Sequence, residues 1–206
     1  MKSTSLLIIF LKVPVPGRVK TRLAAAIGPE RACKVYRHLV NRLLVSLDSL
    51  EEVELRVSPD DGLDACKEWA KSGWCLKPQG EGDLGQRMSR AFEEAFSEGR
   101  DRVVVIGSDC PHVTPGHIKS AYASLKQANL VVGPATDGGY WLIGLNAFES
   151  RLFQGIQWST DTVLSETLGL AKEAGLSLDL LEILEDIDDI ESLSRFESEE
   201  RQKAQK

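Results

Sequence analysis

The residues that could do chemistry gather in five short stretches. The first is Gly107-Ser108-Asp109-Cys110-Pro111, which follows the apolar run 103–106. Four β-forming residues in a row read as a strand buried on both faces. Gly107 and Pro111 end it and leave Asp109 at its carboxyl end, where ligands bind in open α/β sheets. A carboxylate there suits a hard divalent cation holding a phosphate; a turn Asp that caps the next helix has the same local signature. The second stretch supplies the opposite charge. Lys12, Arg18, Lys20 and Arg22 lie in one loop with Pro14, Pro16 and Gly17, after the apolar run 6–11 and ahead of a helical segment. Cations so placed suit an anion, Arg as a planar fork and Lys as a compact charge. A solvated basic loop is the alternative. The loop is neither a Walker A sequence nor a Gly-x-Gly-x-x-Gly dinucleotide loop.

Three further stretches add polar groups. In Pro78-Gln79-Gly80-Glu81-Gly82-Asp83, the glycines let a flat ligand approach the backbone. Gln79 carries the donor and acceptor that read a base edge. A connection in which Asp83 caps the following helix fits the same residues. In Asp137-Gly138-Gly139-Tyr140-Trp141, Asp137 could orient an acceptor hydroxyl, act as a base or support a metal. Its aromatics either line a pocket or alternate between core and surface. Trp158-Ser159-Thr160 precedes a helix that Ser159 or Thr160 could cap. Finally, in Glu185-Asp186-Ile187-Asp188-Asp189, extended backbone would put Asp186 and Asp188 on one side and Ile187 on the other. Such a pair completes a Mg²⁺ or Mn²⁺ site or forms a solvated acidic turn.

Positioning these stretches requires strands that end beside one another. Strand-like runs at 6–11, 53–57, 74–76, 102–106, 130–133, 140–145 and 178–183 alternate with helical patterns at 30–47, 64–71, 83–98, 115–127, 160–175 and 189–193. That alternation predicts an α/β fold, three layers α/β/α around a mostly parallel sheet. The Gly138-Gly139 break between two apolar runs predicts one antiparallel strand. Residues 53–57 alternate and predict a half-buried strand. A single domain is expected over 1–196, with 197–206 a charged, disordered tail.

Composition narrows the function classes. The 206 residues carry 27% charged side chains and a net charge of −6, which argues against a nucleic-acid partner. No run approaches the roughly 18 apolar residues of a membrane span. Cys33, Cys66, Cys75 and Cys110 form no C-x-x-C pair, and His38, His112 and His117 are scattered. A zinc site is therefore not expected. Reduced thiols in a cytoplasmic protein are, with Cys110 a packing residue. The missing glycine fingerprint disfavours an NAD-dependent oxidoreductase.

Taken in order, Phe10-Leu11-Lys12-x-Pro14-x-Pro16-Gly17-Arg18-x-Lys20-Thr21-Arg22-Leu23, Gly80-x-x-Asp83-Leu84-Gly85-x-Arg87-Met88, Gly107-Ser108-Asp109-Cys110-Pro111, Asp137-Gly138-Gly139-Tyr140 and Trp158-Ser159-Thr160 resemble a bacterial family grouped with glycosyltransferases. That family is similar in fold to the GT-A (nucleotide-diphospho-sugar transferase) enzymes and to nucleotidyltransferases, the phospholactate and molybdenum-cofactor guanylyltransferases among them. The resemblance runs from the first strand to Asp188. It implies a metal-dependent transferase with a nucleotide or nucleotide-sugar donor and a small-molecule acceptor. Glycosyl transfer is the first reading. Nucleotidyl transfer to a small phosphorylated or acidic acceptor is the second, and a non-catalytic nucleotide-binding protein is the alternative of another class.

Position by position, the resemblance implies that Lys12, Gly17, Arg18, Lys20 and Arg22 hold phosphates and that Gln79 and Gly80 read the base. It gives Asp109 and Asp188 a Mg²⁺ or Mn²⁺ ion, makes Asp109, Asp137 and Lys20 catalytic, and lines an acceptor pocket with Gly138, Gly139, Tyr140 and Trp158. Two departures stand out. A Pro-Gly-Arg loop replaces the nucleotidyltransferases' Gly-Gly-x-Ser-x-Arg, and Ser108-Asp109-Cys110 replaces the Asp-x-Asp of many glycosyltransferases.

Overall fold

The first strand, β1 (Ser5–Lys12), is buried on both faces. Leu6, Ile8 and Phe10 pack on one side and Leu7, Ile9 and Leu11 on the other, because successive strand side chains alternate. The structure, a computed structural model, describes residues 4–204. After β1 come α1 (Thr21–Ile27), α2 (Pro29–Ser46), β2 (Val53–Ser58), a 3-10 helix (Asp60–Trp69), β3 (Cys75–Pro78), α3 (Leu84–Ser97), β4 (Arg102–Ile106) and α4 (Pro115–Ser124). Then follow β5 (Leu130–Pro134), β6 (Tyr140–Leu145), a 3-10 turn (Ser150–Phe153), α5 (Val163–Glu173), β7 (Leu178–Leu180) and α6 (Ile190–Ala204).

The seven strands form one sheet in the order β3-β2-β1-β4-β6-β5-β7. Only β6 runs against the rest, pairing antiparallel with both β4 and β5; this is the antiparallel strand expected from the Gly-Gly break. Helices cover both faces. On one face α2, the first 3-10 helix and α4 bury Leu7, Ile9, Leu55, Val104 and Ile106. On the other, α3 and α5 bury Ile8, Phe10, Val103 and Val105. Two helix starts are fixed by reciprocal capping boxes, Asp83 with Gln86 and Thr114 with His117, each satisfying backbone N–H groups that the first turn leaves open.

Several expectations change. The strand at 53–57 is fully buried rather than half-buried. Glu54 and Arg56 lie inside it at 3% and 1% exposure, which requires them to pair. Arg56 Nε donates to Glu54 Oε1 at 2.5 Å, and Lys77 and Glu94 complete the network. Residues 21–23, read as the end of the basic loop, open α1, which runs on to Ile27. Of the helix expected at 64–71, residues 64–69 fall in the 3-10 helix Asp60–Trp69, and 70–71 lie beyond its end. The charged segment from Glu197 continues α6 to Ala204, and Leu193 and Phe196 pack it on α1 and α2 through Leu23, Ala32 and Leu39. Among the described residues, no helix is long and apolar enough to cross a membrane.

Register brings the functional loops together. Ile9 pairs with Ile106 in the parallel β1–β4 ladder, so three residues further on the two strands deliver Lys12 and Asp109 side by side. The Ile187 amide donates to the Asp109 carbonyl at 3.0 Å, which lays the 186–188 segment against the same turn.

Candidate functional site

A cavity of about 630 Å³ opens at the carboxyl ends of β1 and β4. At its centre the Lys20 ammonium lies 2.5 Å from Asp109 Oδ1 and 2.8 Å from Asp188 Oδ1. The lysine side chain is 2% exposed, its partners 42% and 39%. Burial alone would lower the pKa of Lys20, but Asp109 and then Asp188 outweigh it and hold the ammonium above its ordinary value. Lys20 is also the N-cap of α1 at φ +49°, a left-handed conformation that costs a non-glycine residue about 1–2 kcal/mol. Two ion pairs at one buried nitrogen offset such strain.

The cavity has a rigid back wall. The Tyr36 hydroxyl accepts from the Lys12 amide at 2.7 Å, donates to the Lys12 carbonyl at 3.1 Å and lies 3.2 Å from Ser108 Oγ. Helix α2 thereby ties the end of β1 to the turn that presents Asp109. Burial first, and Asp109 second, push the Tyr36 phenol well above its usual range. Asp186 shares the cavity. Burial, with Asp109 and Asp188 nearby and Lys20 only partly compensating, raises its carboxyl to about 7. Cys110 behaves as the expected packing residue: it is buried, and burial pushes its thiol up to about 12.

The opposite wall comes from the β5–β6 turn and the segment before α5. Asp137 Oδ1 accepts from the Gly139 amide at 3.0 Å. Gly138, at φ +88°, lies so close to the 158–163 segment that a Cβ would fall 2.2 Å from the Asp161 carbonyl oxygen. Its own carbonyl accepts from the Leu164 amide. Trp158 packs over Gly85 at the start of α3, where a Cβ would meet the indole nitrogen at 2.7 Å. The cap of α5 is Thr162, rather than Ser159 or Thr160.

Of the residues expected in a site, Lys12, Lys20, Arg22, Asp109, Asp137, Asp188, Gly139, Tyr140 and Trp158 line this one cavity. Gly138 supports the turn beneath it. Gly17 and Arg18 are exposed on the same loop but do not line it. Gln79 and Gly80 lie elsewhere. The Gln79 amide is 4% exposed and donates to the carbonyls of Leu11 and Arg56, while its oxygen faces Arg87. Gly80 packs on the Arg90 guanidinium and donates to Asp60. These two residues hold β1, β2 and α3 together and do not line the cavity. Sequence reasoning missed Tyr36, Leu84 and Asp161. Only Tyr36 left a signal, a phenol on the apolar face of α2.

Residues 43–160 match the family described as "Uncharacterized protein conserved in bacteria (DUF2064)". The chain belongs to this family. It is also similar to a solved structure from Desulfovibrio desulfuricans G20, described as a "putative nucleotide-diphospho-sugar transferase". The two share 35% identity and a TM-score of 0.87 over 93% of this chain and 85% of that one. Two curated proteins are more distant: a phosphoenolpyruvate guanylyltransferase of Sphaerobacter thermophilus, 25% identical over 59% of this chain, and a 2-phospho-L-lactate guanylyltransferase of Methanocaldococcus jannaschii, 28% identical over 68%. The matched region spans 60% and 61% of those relatives' own lengths. The DUF2064 chain thus has the GT-A-like fold expected from its motifs, with the sheet ends, the basic segment and the acidic turn all at one cavity.

Proposed function

We propose that this protein is a metal-dependent transferase that uses an activated nucleotide, with glycosyl transfer from a nucleotide sugar as the leading reaction. The observation that carries the reading is the Lys20 ammonium held by Asp109 and Asp188, with Lys12 and Arg22 in the same cavity. Three cations from one short segment suit the phosphates of a nucleotide. Support for sugar transfer comes from the 35% identical transferase relative. The two guanylyltransferase relatives favour nucleotidyl transfer as the second reading.

The donor set fits a hard cation. Asp109 and Asp188 offer carboxylate oxygens, and Asp186 stands beside them. Among the described residues no group of three or more His, Cys, Asp or Glu side chains is placed to hold a metal ion by itself. Phosphate and water would complete the ligand set, as is usual for Mg²⁺. Mg²⁺ or Mn²⁺ held there would neutralise charge on the phosphates. Lys20 places an ammonium where negative charge grows on the departing group. Asp137 orients the acceptor hydroxyl and takes its proton. In sugar transfer the acceptor oxygen bonds to the anomeric carbon, the bond from that carbon to the phosphate oxygen breaks, and nucleoside diphosphate leaves. In nucleotidyl transfer the oxygen bonds to the α-phosphorus and pyrophosphate leaves. Four free cysteines suit a cytoplasmic setting.

A melting-shift panel of nucleoside di- and triphosphates and nucleotide sugars, with and without Mn²⁺, tests the reading. A metal-dependent shift with at least one of them is the expected result, and identification of the released product separates the two reactions. Absence of any nucleotide-induced shift would refute it.

A further inference from the structure

The cavity's cations come from one stretch of chain. Among the described residues that line it, the cations are Lys12, Lys20 and Arg22, all on the side of β1 and α1, where Asp109, Asp186 and Asp188 accompany them. The other half is built from Leu84, Asp137, Tyr140, Trp158, Asp161 and Val163. Three contacts hold that half together: Trp158 against Gly85, Gly138 against Asp161, and the Leu164 amide on the Gly138 carbonyl. It contains two carboxylates, an apolar wall and no basic side chain.

We infer that the acceptor is an uncharged polyhydroxyl compound, of the sugar or polyol class, and not a phosphorylated or carboxylate acceptor like those in the names of the two guanylyltransferase relatives. The inference rests on the proposed function and deepens it. An ionised carboxylate only accepts hydrogen bonds, so Asp137 and Asp161 match hydroxyl donors. Asp137 has one oxygen committed to the Gly139 amide, which fixes the carboxylate's orientation while its second oxygen remains to receive a hydroxyl. The apolar C–H face of a sugar or polyol can lie on the half-buried Trp158 and on Leu84, which is 42% exposed. The indole's position is set by the missing side chain at Gly85, so this wall is preformed. An anionic acceptor would instead face two like charges with no cation on its own side, the repulsive element that makes a site selective.

The test uses protein loaded with Mn²⁺ and the nucleotide that gives the largest melting shift, so that the cationic half is filled. Saturation-transfer NMR then compares D-glucose, glycerol and myo-inositol with their monophosphates. At least one neutral probe is expected to bind about tenfold more tightly than its monophosphate. Trp158→Ala should weaken that probe about tenfold while nucleotide affinity holds, and Asp161→Lys should shift the preference toward the monophosphate. Equal or tighter binding of the monophosphates by the loaded wild-type protein, or binding of no probe, would overturn the inference. A protein that binds no nucleotide defeats the proposed function alone. The preference is then read on protein saturated with inorganic phosphate, so that Lys12, Lys20 and Arg22 are occupied.

Discussion

Lys20 and Asp188 meet at 2.8 Å although 168 positions separate them in the chain. The contact exists because β1 and β4 are parallel neighbours and the segment after β7 folds back onto the Asp109 turn. Replacing Lys20 by Met should lower turnover about a hundredfold or more, the scale for losing a preorganised charge-stabilising group. Steady-state release of nucleoside diphosphate or pyrophosphate measures this, with circular dichroism as the check that the variant is folded.

Asp109→Asn separates phosphate contact from metal contact. Wild-type protein should lose most of its nucleotide-induced melting shift when EDTA is added. In the variant the residual shift should no longer respond to the chelator. A variant that responds as the wild type does would remove Asp109 from the metal set.

Asp186 gives a signed pH prediction. Its folded-state value of about 7 lies above the ordinary 3.8, so the folded protein binds the proton more tightly than the unfolded chain. Its contribution to stability is therefore fully present below pH 4 and is lost as pH rises through 7. In metal-free buffer, Asp186→Asn should melt several degrees above wild type at pH 8, on the order expected for a neutralised buried carboxylate in a domain of this size. That advantage should shrink toward zero at pH 4. A constant difference across the range would show that the titration does not contribute.

Gln79→Leu distinguishes a structural amide from one that reads a base. The change removes a donor from each of the Leu11 and Arg56 carbonyls, and a buried hydrogen bond is worth about 0.5–1.5 kcal/mol. Urea unfolding should detect that loss while nucleotide affinity stays within about twofold, well under the tenfold that 1.4 kcal/mol of lost binding would give.

The buried Glu54–Arg56 pair should be costly to break and cheap to replace. Glu54→Ala leaves the Arg56 guanidinium with too little compensation in the sheet interior and should cost about 3–5 kcal/mol. The double change Glu54→Leu with Arg56→Met should cost less than either single change. Chemical denaturation of the three variants provides the comparison.

How far the sequence disclosed these features depended on what each residue's signal was about. That Asp109, Lys20 and Asp188 would meet in space was legible because the strands ahead of them were strongly patterned and end at one edge of the sheet. Gln79 is ambiguous in the sequence because the groups that read a base edge are the same groups that clamp two backbone carbonyls. Glu54 and Arg56 alternate with Val53, Leu55 and Val57, which mimics a strand with one wet face. Only the packing of α3 above them shows that face to be dry. Helix α1 was hidden by its shortness and by the Pro-Gly loop before it. The end of α6 was hidden by its charge, since Leu193 and Phe196 anchor it and the residues beyond are mostly exposed.

Because Phe196 on α6 packs into the same cluster as Leu23 on α1, the last helix braces the segment that carries Lys20. A ribosome making this protein therefore closes the sheet at β7 shortly before Asp188 and the bracing helix emerge. On the proposed reading, a polypeptide cut off after β7 would lack both and would hold nucleotide less firmly.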